Sequence, residues 1–434
     1  MRDIFVITIV MVGALAALRR PWIGVMLWTW LSIMNPHRFT WGLAYSAPLA
    51  AVAAASVVLG LLMTKDRESP FKGTPVSWFV VFMAWMTISW LAGLDMAGDY
   101  EQWKKVMKID IMIILALMLL RTKQHIFALM WVCVGSLAVL GIKGGIFTLL
   151  TGGSYRVWGP PGSFIEDNNE FALALIMTIP LLRFLQLQIG SRWGQIGLGV
   201  AMLLCAAAAL GSQSRGALLA ISAMAITLWW RGKSKLQIGI LLIAVALPLI
   251  AFMPDEWTVR MATIENYEED ASAMGRISAW WNAWGIAWHY PAGVGFNAAT
   301  PELFSRFSPY PDSVHAAHSI YFQVLGKSRL CGVILFLGIW FSTMRLAGRL
   351  RNQKDLMPEV QWTVDLGAMC QVALVGYAVG GAFLSLSYFD LPYNIMVLVV
   401  LTRLWVEKKG WQTEPVYSPS WKTIPGLALT TKPG

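Results

Sequence analysis

Long apolar runs recur along the whole 434-residue chain, and no other feature limits its fold so tightly. Strong runs lie near 43–63, 75–94, 106–120, 124–141, 169–189, 194–211, 214–230, 237–253, 328–347, 362–386 and 390–405. Two shorter runs, 4–18 and 21–34, are split by Arg19-Arg20-Pro21 and read as two thin helices or one broken element. A helix of ~20 apolar residues crosses a ~30 Å hydrocarbon core. The composition agrees, with 57% hydrophobic and only 13% charged residues, where soluble chains carry about a quarter charged. The expectation is an all-α polytopic membrane protein of about twelve transmembrane helices, with 23 Trp available for the interfaces.

The net charge of +10 does not call for nucleic acid. Lys and Arg gather in the short loops "TKDRESPFK", "RTK", "RGKSK" and "MRLAGRLRNQK", each separating a pair of apolar runs. All four fit the cytoplasmic side, which puts the C-terminus there as well. The first apolar run ends in Arg19-Arg20 without a small-residue cleavage pattern, so it reads as a retained segment. Cys133, Cys205, Cys331 and Cys370 are widely spaced and form no CxxC, which suggests neither a disulfide framework nor a zinc site.

The expected organisation is a block of N-terminal transmembrane helices over 1–253, a large external loop over 254–318, C-terminal transmembrane helices over 319–406, and a disordered tail over 407–434. The loop holds eight acids against Arg260, Arg276 and Arg306, so it is net negative in a net positive chain. Its stretch "RISAWWNAWGIAWH" sets Trp280, Trp284 and Trp288 on one face of an amphipathic helix, a face suited to a headgroup layer. The chain shows no internal repeat.

Four segments on the external side of this topology carry the unusual residues. "YRVWGPPGSFIEDNNEF" holds Arg156 and then Asn169 and Glu170, which open an apolar run. "SQSRG" holds Arg215, "GRISAWW" holds Arg276, and "VHAAHSIYF" holds His315 and His318. Arginine offers a planar fork of donors matched to phosphate, and histidine exchanges protons near neutral pH. Together they suggest a site for an anionic substrate with a proton-transfer step. Plainer readings stand beside this one. Arg215 can snorkel to water, Arg276 can pair with the acidic "ENYEED" run, Arg156 can be an ordinary loop cation, and Asn169 with Glu170 can serve as helix-start chemistry. His289 reads as a helix cap before Pro291. His315 and His318 stand three apart with no further ligand nearby, which argues against a metal.

In this order the four segments resemble the O-antigen ligase and polymerase superfamily of bacterial glycan enzymes, over about residues 140 to 400. That family has an Asn-containing segment before a span and an S-R-G at a span boundary. It also has an Arg-x-x-x-Trp helix and an hPxxGxG turn in a large periplasmic loop, and a His before an aromatic-rich span. The corresponding residues here are Asn169, Ser214-Arg215-Gly216, Arg276 with Trp280, Tyr290-Pro291 through Gly293 and Gly295, and His318 with Tyr321. The chain's start is similar to a branch labelled O-glycosylation ligase in exosortase-associated gene sets. Two departures are visible: His318-Ser319 where the family often has His-Asn, and "GKSRLCG" where an acid and a glycine usually follow.

The resemblance implies a glycan donor on undecaprenyl diphosphate and a lipid A–core sugar hydroxyl as acceptor. It implies His318 as general base and Arg215 and Arg276 on the diphosphate, with Arg156, Asn169 and Tyr321 completing the substrate site. It further implies transfer with inversion, no metal or cofactor, and a place in the bacterial inner membrane among membrane lipids, with the active site facing the periplasm. An O-antigen polymerase, or a protein O-glycosylation ligase acting on a protein hydroxyl, shares this donor. A lipid-linked glycan transporter is the alternative of another class; it would set charges at mid-membrane on broken helices and often show repeats.

Overall fold

A computed structural model describes residues 1–232, 234–262, 271–354 and 357–414. The acidic run 265–270 and most of the expected tail, 415–434, lie outside these residues. The first half of the chain forms α1 (Arg2–Arg19), α2 (Pro21–Met34), α3 (Leu43–Ser46), α4 (Leu49–Met63), α5 (Thr74–Leu91), α6 (Met96–Leu119), α7 (Lys123–Leu150), α8 (Asn168–Gln188) and α9 (Arg192–Gly211). The second half forms α10 (Arg215–Arg231), α11 (Lys235–Ala251), α12 (Asp255–Ala262), α13 (Ala271–His289), α14 (Pro301–Phe307), α15 (Ile320–Arg351), α16 (Gln361–Gly380), α17 (Asp390–Glu407) and α18 (Gly410–Thr413). The fold is all-α; among the described residues the one β pairing is the isolated Pro291–Gly293 bridge.

The expectation of about twelve spans is overturned. Among the described residues six helical segments are long and apolar enough to cross a membrane: α5, α7, α8, α9, α15 and Pro358–Phe383, which contains α16. The overcount has physical causes. Arg20 is non-helical, with φ −134° and ψ 81°, and Pro21 opens α2, so the first two runs stay separate and α2 has only 14 residues. Pro48 divides the 43–63 run and leaves α4 with 15. The helices α10 and α11 have 17 residues each. At 1.5 Å per residue, 14–17 residues reach about 21–26 Å, short of a ~30 Å core. The longer α6 carries Asp99, Glu101, Lys104, Lys105, Lys108 and Asp110, and α17 carries Asp390, Arg403 and Glu407. The chain remains a multi-pass membrane protein.

The bundle is centred on α8, which α7, α9, α10 and α16 surround. On the other side α15 packs against α5, α16 and α17, and α13 lies along it. Close approach of α9 to α7 depends on Gly145, where a Cβ would come within 2.3 Å of the Leu204 carbonyl oxygen. The bundle has two chemically different ends. At the first, Arg121 pairs with Asp66 at 2.7 Å, Glu68 bonds Lys72 at 2.8 Å and also bonds Lys408, and the Lys123 amide donates to Glu414. At the second, Asn168 donates to the Ser212 carbonyl, Val157 N–H to that of Gly211, and Leu94 N–H to that of Val294. This second end gathers the segments singled out in the sequence.

Helix α15 is interrupted. Arg329 has φ 59° and ψ −172°, which breaks the hydrogen-bond ladder inside a run of 32 residues. The loosened carbonyls are used elsewhere: that of Lys327 accepts from Gly295 N–H at 3.3 Å, and that of Ser328 from the Trp85 indole at 2.8 Å. The Arg329 side chain donates to Ala287 O at 2.9 Å and Pro291 O at 3.0 Å, where α13 runs out of intrahelical donors. The expected Trp face of α13 divides: Trp280 stacks on Phe322, while Trp284 and Trp288 stay exposed.

Candidate functional site

The sequence "EDNNE" starts α8 with a capping pattern, an Asp followed by a Glu three residues on. Asp167 accepts from the Asn169 backbone N–H and side-chain amide, each at 2.8 Å. Burial works against a charge on Asp167. The Glu170 carboxyl, the two Asn169 donors and the nearby His318 outweigh it and hold its pKa below the ordinary value. Asn168 faces the other way and ties α8 to Ser212, in the turn between α9 and α10.

Glu170 lies in the first turn of α8, yet its contacts reach beyond helix-start chemistry. Its side chain is buried, accepts from Ser385 N–H at 3.3 Å, and places Oε1 3.9 Å from Nδ1 of His318. His318 is half-buried and has φ 41°, in the left-handed region, immediately before Ser319 opens α15. This turn sets the imidazole against α8 rather than along its own helix. A carboxylate facing one ring nitrogen orients the ring and leaves the other to exchange a proton.

Arg215 is the first residue of α10 and is half-buried. Ser214 caps that helix by accepting from Ala217 N–H at 3.2 Å. Gly216 lies against the turn after α16, where a Cβ would stand 3.3 Å from the Phe383 Cβ. That turn runs on to Ser385, the donor to Glu170. Gln213, at φ 58°, receives the Arg156 Nε–H at 3.5 Å and donates to Gly153 O at 3.2 Å. Arg156 itself is exposed. The 153–157 loop is thereby laced to the turn that bears Arg215.

Arg276 belongs to α13, and two contacts link that helix to the His318 segment. The His315 ring lies over Gly275, 3.4 Å from where its Cβ would be, and the Trp280 indole donates to Ala317 O at 2.7 Å. Tyr321 is used differently: its hydroxyl donates to Ala378 O at 2.8 Å and ties α15 to α16. His289 Nδ1 meets Gly285 O at 2.8 Å within its own helix. Arg156, Asn169, Arg215 and His318 thus cluster on linked turns at one end of the bundle, Arg276 joins through α13, and Tyr321 serves helix packing. Sequence reading missed Glu170 as a partner of His318, and it missed Gln213 and Ser385. The only local sign of the first was the Glu at the capping position.

Residues 200–339 match the O-antigen ligase family. This matched region, about a third of the chain, agrees with the resemblance that the four segments carry. The match supports an enzymatic activity of ligase type at the family level. Residues 1–189 match a family of unknown function, DUF5935. No curated protein matches the chain. The O-antigen ligase domain contains Arg215, Arg276, His318 and Tyr321, and the N-terminal match contains Arg156, Asn169 and Glu170. The contact between Glu170 and His318 therefore joins the two matched regions.

Proposed function

We propose that the protein is an O-antigen ligase that transfers a glycan from undecaprenyl diphosphate to a lipid A–core sugar hydroxyl at the periplasmic face of the inner membrane. The observation that carries this reading is the His318–Glu170 pair, 3.9 Å apart, beside the turn that bears Arg215. Glu170 faces Nδ1 of His318, so Nε2 is the nitrogen that takes the proton from the acceptor hydroxyl. Apo contacts of this kind are commonly long and tighten when substrate binds. The acceptor oxygen attacks the anomeric carbon as the bond from that carbon to the diphosphate oxygen breaks, which inverts the centre. The bonding electrons leave with the diphosphate. Arg215, Arg276 and Arg156 stabilise the charge that develops on it, and Glu170 stabilises the imidazolium. Asn169 completes the surroundings of the substrate, and Tyr321 holds α15 against α16 beneath it. The basic opposite end supports a periplasmic orientation for the site.

The test is a reconstituted reaction with lipid-linked glycan and a panel of acceptors. His318→Ala lowers turnover by about 10²–10⁴-fold, the usual contribution of a positioned base. Arg215→Lys loses most activity, because a point charge does not replace a bidentate fork. Near-normal turnover in either variant refutes the role assigned to that side chain. Transfer to a growing glycan or to protein, with none to lipid A–core, refutes the acceptor.

A further inference from the structure

At the basic end, far from the site above, α5, α15 and α17 enclose a groove of about 740 Å³. Its floor is Trp78, which lies against α15 at Gly338; a Cβ there would come within 2.5 Å of the indole. Its walls are apolar, with Leu346, Val400 and Leu404. Phe341 also lines it and is 80% exposed, on a helix long and apolar enough to cross a membrane. Its rim is cationic: Lys72, Arg345, Arg349 and Arg403.

The carboxylates nearby are engaged. Glu407 bonds Arg403 at 2.8 Å, and Glu68 bonds Lys72 at 2.8 Å. Among the described residues no carboxylate pairs with Arg345 or Arg349. A second concavity of about 750 Å³ shares these two arginines and extends to Arg351 and Gln371. Gln371 accepts from Arg231 at 3.0 Å, and burial with the like charge of Arg351 pushes the Arg231 guanidinium below its ordinary value. Among the described residues, cations therefore outnumber the carboxylates that pair with them here.

Arginines in the last turn of a helix suit its dipole, and long cationic side chains at a membrane boundary reach toward water. Neither tendency builds a groove with an aromatic floor. A zwitterionic lipid would bring its own cation to a rim whose acids are already engaged. Basic pockets between helices suit anionic headgroups. We propose that this groove binds one anionic phospholipid of the leaflet at the basic end. Its acyl chains lie against Trp78, Phe341 and Leu404, and its phosphate sits between Arg345 and Arg349, one helical turn apart.

The experiment uses the purified full-length protein in detergent. Retained lipid is read by native mass spectrometry, and thermal unfolding is followed with added phosphatidylglycerol, phosphatidylcholine or inorganic phosphate. The expected result is retention of phosphatidylglycerol and a raised melting temperature with that lipid alone. The double variant Arg345→Gln/Arg349→Gln retains at least tenfold less. Phe341→Gln, at an exposed position that bears little on folding, also weakens retention. Equal protection by phosphatidylcholine, equal protection by inorganic phosphate, or undiminished retention in both variants overturns the proposal. Glycan transfer is not the readout, so the result stands apart from the role of His318.

Discussion

Gly293 shows how much one residue decides at the second end of the bundle. Its φ is 86°, and a Cβ would approach the Lys327 carbonyl oxygen to 2.2 Å. A methyl group there meets backbone, which cannot rotate away, and the left-handed conformation adds strain of about 1–3 kcal/mol. Gly293→Ala is therefore expected to lower the melting temperature and displace the turn from α15. Gly152 is the control: its φ is 62°, but nothing lies within 4 Å of its would-be Cβ. Gly152→Asn is expected to fold normally, since Asn tolerates this region. A common fall in melting temperature for both variants would contradict the argument. Much at this scale was legible beforehand. Asn169 and Glu170 read as helix-start chemistry, and Tyr290-Pro291 through Gly293 and Gly295 match the family's turn. The pairing of Glu170 with His318 was not, because it depends on how α8 and α15 meet and not on either local sequence.

At the scale of elements, the break in α15 does more than bend a helix. Arg329 sits where an unbroken helix would have continued, and its guanidinium closes the end of α13 through Ala287 and Pro291. Hydrogen bonds from a charged donor contribute about 1.5–3 kcal/mol each. Arg329→Ala is expected to free the end of α13, speeding amide exchange at residues 286–290 while α8 stays protected. Unchanged exchange there would show that α13 is held by its packing alone. This break was hidden in the sequence. The stretch "GKSRLCGVILFL" reads as a continuous helix, and the residue with the unusual backbone is an arginine rather than a glycine. Tertiary demand for the Lys327 and Ser328 carbonyls overrides the local preference.

Across the whole molecule, the basic loops that sequence reading grouped together meet at one end, and Glu68 binds several of them. Hydrogen bonds from Lys408 and Lys72 lower its pKa from 4.5 to about 2. A carboxylate so depressed stabilises the fold above pH 4.5, and that stabilisation is lost as pH falls from 4.5 toward 2. Wild type and Glu68→Gln, unfolded by heat in the same detergent, are expected to differ near neutral pH and converge as the pH drops through that window. A constant gap across it would show that Glu68 contributes through packing. The all-α, multi-pass class was legible from the apolar runs, whereas the number of spans was not. The apolar runs show the split at Arg19-Arg20-Pro21 but not the break at Pro48, nor the length each fragment keeps.

Those breaks have a consequence for the surrounding lipid. The flank built from α1, α2 and α4 offers outward Ile4, Phe5, Leu59 and Leu62, yet α4 is about 22 Å long. Acyl chains beside it must shorten or tilt to match, at a cost of fractions of a kcal/mol per Å of mismatch. Lipid held against this flank is therefore expected to thin locally, so that bilayer thickness becomes a variable to which the flank responds.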